Sequence, residues 1–313
     1  MSHYLVAGAG PIGRATATHL ADRGDTVILV SRSGRGPAHD RIDRVSADAA
    51  DPRRMRELAT GSAAVFNCLN PAYHRWPTDW PPMAQALLAA AERAEAVLVT
   101  ASNLYGYGPV STAMTENLPL AATGPKGRVR ASMYADALAA HRAGRTRTVE
   151  VRGSDYVGPG AESHLGDRVV PRVLAGKSVS VIGNPDAPHT WTYTDDMARM
   201  LVMAADDERA WGRAWHAPSN PPRTQREAVA DLARAAGVAP VKVSAVPSLA
   251  LRTLGLVNPT IRELQETVYQ FTDAFVMDSS DAQRTFGLHP TPWPEVLEAT
   301  LRSYGWSGSR SAA

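Results

Sequence analysis

The feature that most restricts this chain is a short turn, Leu5-Val6-Ala7-Gly8-Ala9-Gly10-Pro11-Ile12-Gly13, in which Gly-x-Gly-x-x-Gly leaves an apolar run and enters a helix-like segment. Gly8 permits the tight turn, Gly10 lets backbone approach a pyrophosphate, and Gly13 lets the helix pack closely on the strand. Pro11 lacks an N–H, but in the first helical turn no intrahelical bond is lost. The helix start then offers free N–H groups and partial positive charge to phosphates. The turn therefore predicts a dinucleotide site built from Gly8, Gly10, Pro11, Ile12 and Gly13.

Beyond the turn the chain alternates regularly. Strand-like runs at Tyr4–Ala9, Thr26–Val30, Arg41–Ala47, Ala63–Leu69, Ala96–Thr100 and Thr148–Arg152 take turns with helix-like segments at Pro11–Arg23, Pro52–Ala59, Met83–Ala94 and Arg130–Ala143. Such alternation means βαβ units, and short apolar strands mean a sheet covered on both faces. After a helix at Gln225–Ala236, the segment Val238–Val276 leaves the rhythm. The expected fold is α/β: a Rossmann doubly wound parallel sheet over residues 1–155 with a later contribution from about 186–215. A smaller C-terminal substrate lobe takes 156–185 and 216–313.

The end of the second strand bears on which dinucleotide is held. An NAD site usually places Asp or Glu there for the ribose hydroxyls. This chain has Ser31, Arg32 and Ser33, a guanidinium and two hydroxyls that suit the 2′-phosphate of NADP(H). The basic residues Lys126, Arg128 and Arg130 read as a solvated or cofactor-facing patch.

With these segments in place, the chain resembles the extended short-chain dehydrogenase/reductase family, which includes sugar-nucleotide epimerases and dehydratases. The resemblance runs through Ala47-Asp48, Asn67-Cys68-Leu69-Asn70, Ser102-Asn103-Leu104-Tyr105-Gly106, Tyr156-Val157-Gly158-Pro159-Gly160, Tyr193-Thr194-Asp195-Asp196 and Phe286-Gly287-Leu288-His289-Pro290. It implies that Asp48 holds adenine, that Cys68, Leu69 and Asn70 pass the nicotinamide ribose, and that Tyr156–Gly160 lies near the nicotinamide ring.

The chain departs from that family twice. Ala7 stands at the first glycine of the usual Gly-x-x-Gly-x-x-Gly, so Gly8 serves instead. The family's chemistry also rests on Tyr-x-x-x-Lys plus Ser or Thr, and the three lysines, Lys126, Lys177 and Lys242, follow Ala122, Val173 and Val238 at that spacing. Alignment places Gly127 at the tyrosine, Ala131 at the lysine and Ala101 at the hydroxyl, with Thr100 and Ser102 beside it. Ser102 and Tyr105 become the candidate proton donors.

For substrate contacts the candidates are Tyr73, Asn103, Tyr105, Tyr156, His189 and Trp191, which favour a flat, partly apolar molecule. Arg172, Arg223, Arg226 and Arg262 could instead meet a nucleotide diphosphate. The leading expectation is an NADPH-dependent ketoreductase of a polycyclic aromatic ketone of antibiotic biosynthesis, with a substrate phenol aiding the proton step. The alternatives are a sugar-nucleotide epimerase or dehydratase, and an NADP(H)-binding redox sensor without turnover. The net charge of +2 gives no case for a nucleic acid or a membrane surface. No metal motif occurs, and the lone Cys68 reads as a buried strand thiol in a reducing, cytoplasmic protein without a signal peptide. Its expected partner is a small-molecule substrate, with a homodimer left open.

Overall fold

The fold comes from a computed structural model that describes residues 1–247, 263 and 265–308. The chain divides into two compact units, the first formed by Met1–Gly108, Glu116–Gly153 and Asp195–Ala217. Its seven strands are β1 (His3–Ala7), β2 (Thr26–Ser31), β3 (Ile42–Ser46), β4 (Ala64–Asn67), β5 (Val97–Asn103), β6 (Arg147–Gly153) and β11 (Ala214–His216). They form one sheet in the order β11-β6-β5-β4-β1-β2-β3, and every pairing is parallel. The order reverses between β1 and β4, where doubly wound sheets bind their ligands.

Local chemistry explains the helices. In α1 (Pro11–Asp22) proline occupies the first turn, and Gly24, at φ +98°, follows the Arg23 cap. In α2 (Pro52–Leu58) the Asp51 carboxylate accepts from the N–H groups of Arg53 and Arg54. Two helices start earlier than their patterns suggest. α3 runs Trp76–Ala94 with Pro77 in its first turn and Pro81 and Pro82 inside it, so the prolines belong to the helix and do not delay its start to Met83. α4 runs Pro125–Arg142, and its first turn takes in the basic segment. Leu5, Val65 and Leu98 on the sheet pack with Met55 of α2 and Leu87 of α3 in a buried core.

The second unit comprises Pro109–Thr115, Ser154–Thr194 and the residues from Pro218 onward. Residues 186–194 group here and not with the nucleotide unit, because β9 (Pro188–His189) pairs with β12 (Arg223–Thr224) and β10 (Trp191–Tyr193) with β7 (Asp155–Val157). A third pair joins β8 (Val179–Val181) to β13 (Val243–Ala245). The short helix α5 (Val170–Leu174) lies in this unit, and α6 (Thr194–Asp206) leads the chain back into the first. Helix α7 (Gln225–Ala236) begins with a Thr224/Glu227 capping box and ends at Gly237, φ +70°. Its Val229 and Leu232 share a core with Val173 of α5, Trp191, Val296 and Leu301. Among the described residues no helix is long and apolar enough to cross a membrane.

Candidate active site

The glycine turn has the geometry of a phosphate cradle. Gly8 sits at φ +108°, and its N–H donates to Val30 O at 2.8 Å. A Cβ on Gly8 would lie 2.3 Å from Cys68 O, and one on Gly13 would lie 1.8 Å from Gly8 O. Neither position admits a side chain. Gly10 is different: a Cβ there meets nothing within 4 Å, so its value lies in what approaches from outside. It is also the N-cap of α1, with no side chain satisfying the first N–H groups. These features fit the pyrophosphate of a nicotinamide dinucleotide, held by backbone at Gly10–Gly13.

The second-strand end is also formed. Gly34 N–H donates to Ser31 O, Ser31 Oγ donates to Arg35 O at 3.2 Å, and Ser46 Oγ donates to Arg32 O at 2.9 Å. The turn thus fixes its backbone while Arg32 and Ser33 stay exposed. Asp48 is exposed and accepts from Ala50 N–H. Cys68 lies against Gly8 and Gly13, and burial pushes its thiol up to about 12. Buried and protonated, it is inert as a nucleophile. Leu69 N–H donates to Asn67 Oδ1 at 3.3 Å, and Asn70 is exposed.

The largest correction falls on α4. A Cβ on Gly127 would lie 2.3 Å from Ala122 Cβ and 2.5 Å from Tyr105 O, so no tyrosine fits there, and Ala131 is only half-buried. The charged residues that turn inward are Lys126 and Arg130, at 1% and 7% exposure, four apart on one helical face. They are therefore no solvated patch; among the three basic residues only Arg128 is exposed. Lys126 Nζ stands 4.7 Å above the Tyr73 ring, and the Arg130 guanidinium lies 4.7 Å and 4.3 Å from the Trp76 and Trp80 rings. Tyr105 joins the same cluster, 5.8 Å from Trp76 and 6.3 Å from Tyr73. Lys126 and Arg130 thus stand one position before Gly127 and Ala131, at the same four-residue spacing.

The remaining candidates are scattered over both units. Ser102 is buried on β5, and Asn103 Oδ1 accepts from Tyr105 N–H at 3.2 Å. Tyr156 is half-buried in the second unit. His189 and Trp191 are not pocket walls but core, each 2% exposed. His189 Nε2 lies 2.8 Å from Asp155 Oδ2 and Nδ1 lies 3.0 Å from Gln270 O, while Trp191 Nε1 donates to Arg223 O. Arg223 pairs with Asp231, Arg226 with Asp186, and Arg172 donates to Ser178 O; Arg262 lies outside the described residues. One buried network has no signature in the sequence. Arg152 bridges Glu150 Oε1 and Tyr107 OH, each at 2.6 Å, and Tyr107 OH lies 2.8 Å from His216 Nε2.

Residues 4–215 match the NAD dependent epimerase/dehydratase family. The chain belongs to that family. Among curated proteins it is 26% identical, over 78% of its length and 81% of the other, to a dTDP-6-deoxy-L-talose 4-dehydrogenase (NAD(P)(+)) of Kitasatospora kifunensis. Among solved structures this family member is similar to a dTDP-glucose 4,6-dehydratase of Streptomyces venezuelae with NAD bound, at 21% identity and TM-score 0.77 over 97% of each chain. It is also similar to an epimerase of Methanothermobacter thermautotrophicus, at 18% identity and TM-score 0.80 over 97% of this chain and 92% of that one. The two structural likenesses establish the fold. The family is one of NAD-dependent epimerases and dehydratases.

Proposed function

We propose that this protein is an NADPH-dependent oxidoreductase that interconverts a keto group and a hydroxyl on a dTDP-linked deoxysugar. The curated relative acts at position 4 of such a sugar. The observation that carries the cofactor half is the turn after β2, where Arg32 and Ser33 stand exposed and no carboxylate takes the place expected for NAD. A nicotinamide dinucleotide bound at the glycine turn would supply the hydride. The proton goes to the carbonyl oxygen from the Tyr105 phenol, with Lys126 as the fixed positive charge in its cluster and Ser102 as a further hydroxyl on β5. An aromatic ketone is the lesser reading, because Trp76 and Trp80 are buried and taken up by Arg130.

Two measurements test this. Purified protein given a dTDP-4-keto-6-deoxyhexose should consume NADPH faster than NADH; binding of NADPH without turnover across 4-keto sugars would leave the sensor reading in its place. Arg32→Ala should weaken NADPH binding by about 10–100-fold, since a hydrogen bond to a charged group contributes about 1.5–3 kcal/mol. NADH, which lacks the 2′-phosphate, should bind nearly as before. Equal affinity of the unmodified protein for both dinucleotides would sink the assignment.

A further inference from the structure

Parallel sheets covered on both faces are ordinarily apolar inside. This one is polar across four strands. Asn67, Thr100 and Glu150 are register partners in one row, and Ser102, Arg152 and His216 in the next. All six are buried. Burying such groups is costly unless they are paired or hydrated. In the second row Arg152 and His216 are tied together through Tyr107. The first row instead lines a cavity of about 360 Å³ under α3 and α4.

The cavity has a local cause. Pro81 and Pro82 inside α3 supply no N–H to the carbonyls of Pro77 and Thr78. α4 turns its long inward side chains, Lys126 and Arg130, toward Tyr73, Trp76 and Trp80, which leaves Ala137 as one of the residues over the sheet. The walls are apolar, with Leu88, Val129 and Met133 among them. At the floor, Glu150 Oε1 takes the bond from Arg152, and Oε2 makes none among the described residues. The rim charges, Arg128 and Asp136, are of opposite sign. Neutral polar groups of Asn67, Gln85, Thr100 and Ser132 also line it, and its two carboxylates are Glu150 at the sheet floor and Asp136 at the rim.

We propose that this cavity binds a small amphipathic amine, its ammonium on Glu150 and its apolar body between Leu88, Val129 and Met133. The volume lies at the small end of ligand pockets, which run about 300–1,000 Å³, and suits one ring with a short chain. No residue of the glycine turn lines it. The site is separate from the dinucleotide's and does not depend on which sugar the enzyme takes. It shares α4 with the Lys126–Tyr105 cluster, so an occupant presses on the helix that packs Gly127 against Tyr105.

Calorimetric titration with phenethylamine tests the proposal, with 2-phenylethanol and phenylacetate as head-group controls. The amine should bind the unmodified protein, and the alcohol and the carboxylate should each bind at least about tenfold more weakly. Glu150→Gln should lower amine affinity by at least about tenfold. Ala137→Phe fills the cavity and should abolish binding. Ser132→Trp blocks the mouth from an exposed position, so it tests the site even if the Ala137 variant folds poorly, and it should leave dinucleotide affinity unchanged. The site is refuted if phenethylamine does not bind at millimolar concentration, if Ser132→Trp binds it as the parent does, or if phenylacetate binds as well.

Discussion

The two halves of the central sheet solve the problem of burial differently. Around β1 and β2 the strands are mostly apolar, and the functional element is backbone: a turn in which Gly8 and Gly13 admit no side chain and Gly10 leaves a surface open. Around β5, β6 and β11 the same sheet buries Arg130, Glu150, Arg152 and His216. There the organisation is side chain against side chain, drawn from four or five separate segments. Backbone sites tolerate almost no alternative residue, whereas a side-chain network can be assembled from many sequences that share only its packing.

Breaking the buried pair should have the largest effect. Arg152→Met leaves the Glu150 carboxylate buried without its partner and removes a donor from Tyr107, whose phenol burial already pushes up to about 12 against the pull of Arg152. Removing one member of a buried pair costs about 3–5 kcal/mol, while replacing both by apolar residues is often neutral. Glu150→Leu combined with Arg152→Met should therefore recover most of the loss in urea unfolding. If the double variant is as unstable as the single one, the pair is not what holds this half together, and the contrast between the halves fails.

The glycine half gives a sharper test of the comparison. Gly13→Ala puts a methyl 1.8 Å from Gly8 O and should cost about 1–3 kcal/mol by overpacking, together with loss of dinucleotide affinity. Gly10→Ala meets nothing within 4 Å, so thermal unfolding should hardly move while dinucleotide binding weakens. A shared loss of stability at both positions would mean that Gly10 serves the fold and not the ligand.

The same difference governs what is legible in the sequence. The six strand runs, α1, α2 and α7 follow from periodicity and caps, and the turn at Gly8–Gly13 from the few residues that can make it. The seventh strand, β11, is only three residues long and has no periodicity to show. The start of α3 is obscured because Pro77, Pro81 and Pro82 look like breakers, although one of them occupies a first turn. The inward face of α4 is hidden because Gly127 carries no signal of its own; its close packing is set by the backbone of Tyr105, more than twenty residues earlier. His189 and Trp191 mislead for another reason. Aromatic and imidazole residues before an acidic helix start have the composition of a pocket wall, and only the pairing of β9 and β10 puts them in a core.

The smallest expected effect belongs to an ion pair in the glycine half, and it fixes the scale for the buried one. His19 of α1 meets Asp195, near the start of α6, with Nε2 and Oδ1 2.7 Å apart and the two side chains 32% and 36% exposed. The hydrogen bond from His19 holds the Asp195 carboxyl below the ordinary aspartate range against the opposing effect of burial, with the charges of His19 and Arg199 assisting. A carboxyl whose value is lower folded than unfolded adds stability above its unfolded value, and that stability is lost as pH falls through the folded one. Asp195→Asn should therefore cost at most about 1 kcal/mol at neutral pH, because a pair this exposed is screened by solvent. The gap to the parent should close as pH falls below about 4, the unfolded aspartate value. It should also narrow in high salt at neutral pH, while the cost of Arg152→Met, buried away from ions, should not. Urea unfolding of both variants across pH and ionic strength measures this directly. A salt-insensitive, pH-independent loss in Asp195→Asn would show that Asp195 acts through its packing at the helix start and not through its charge.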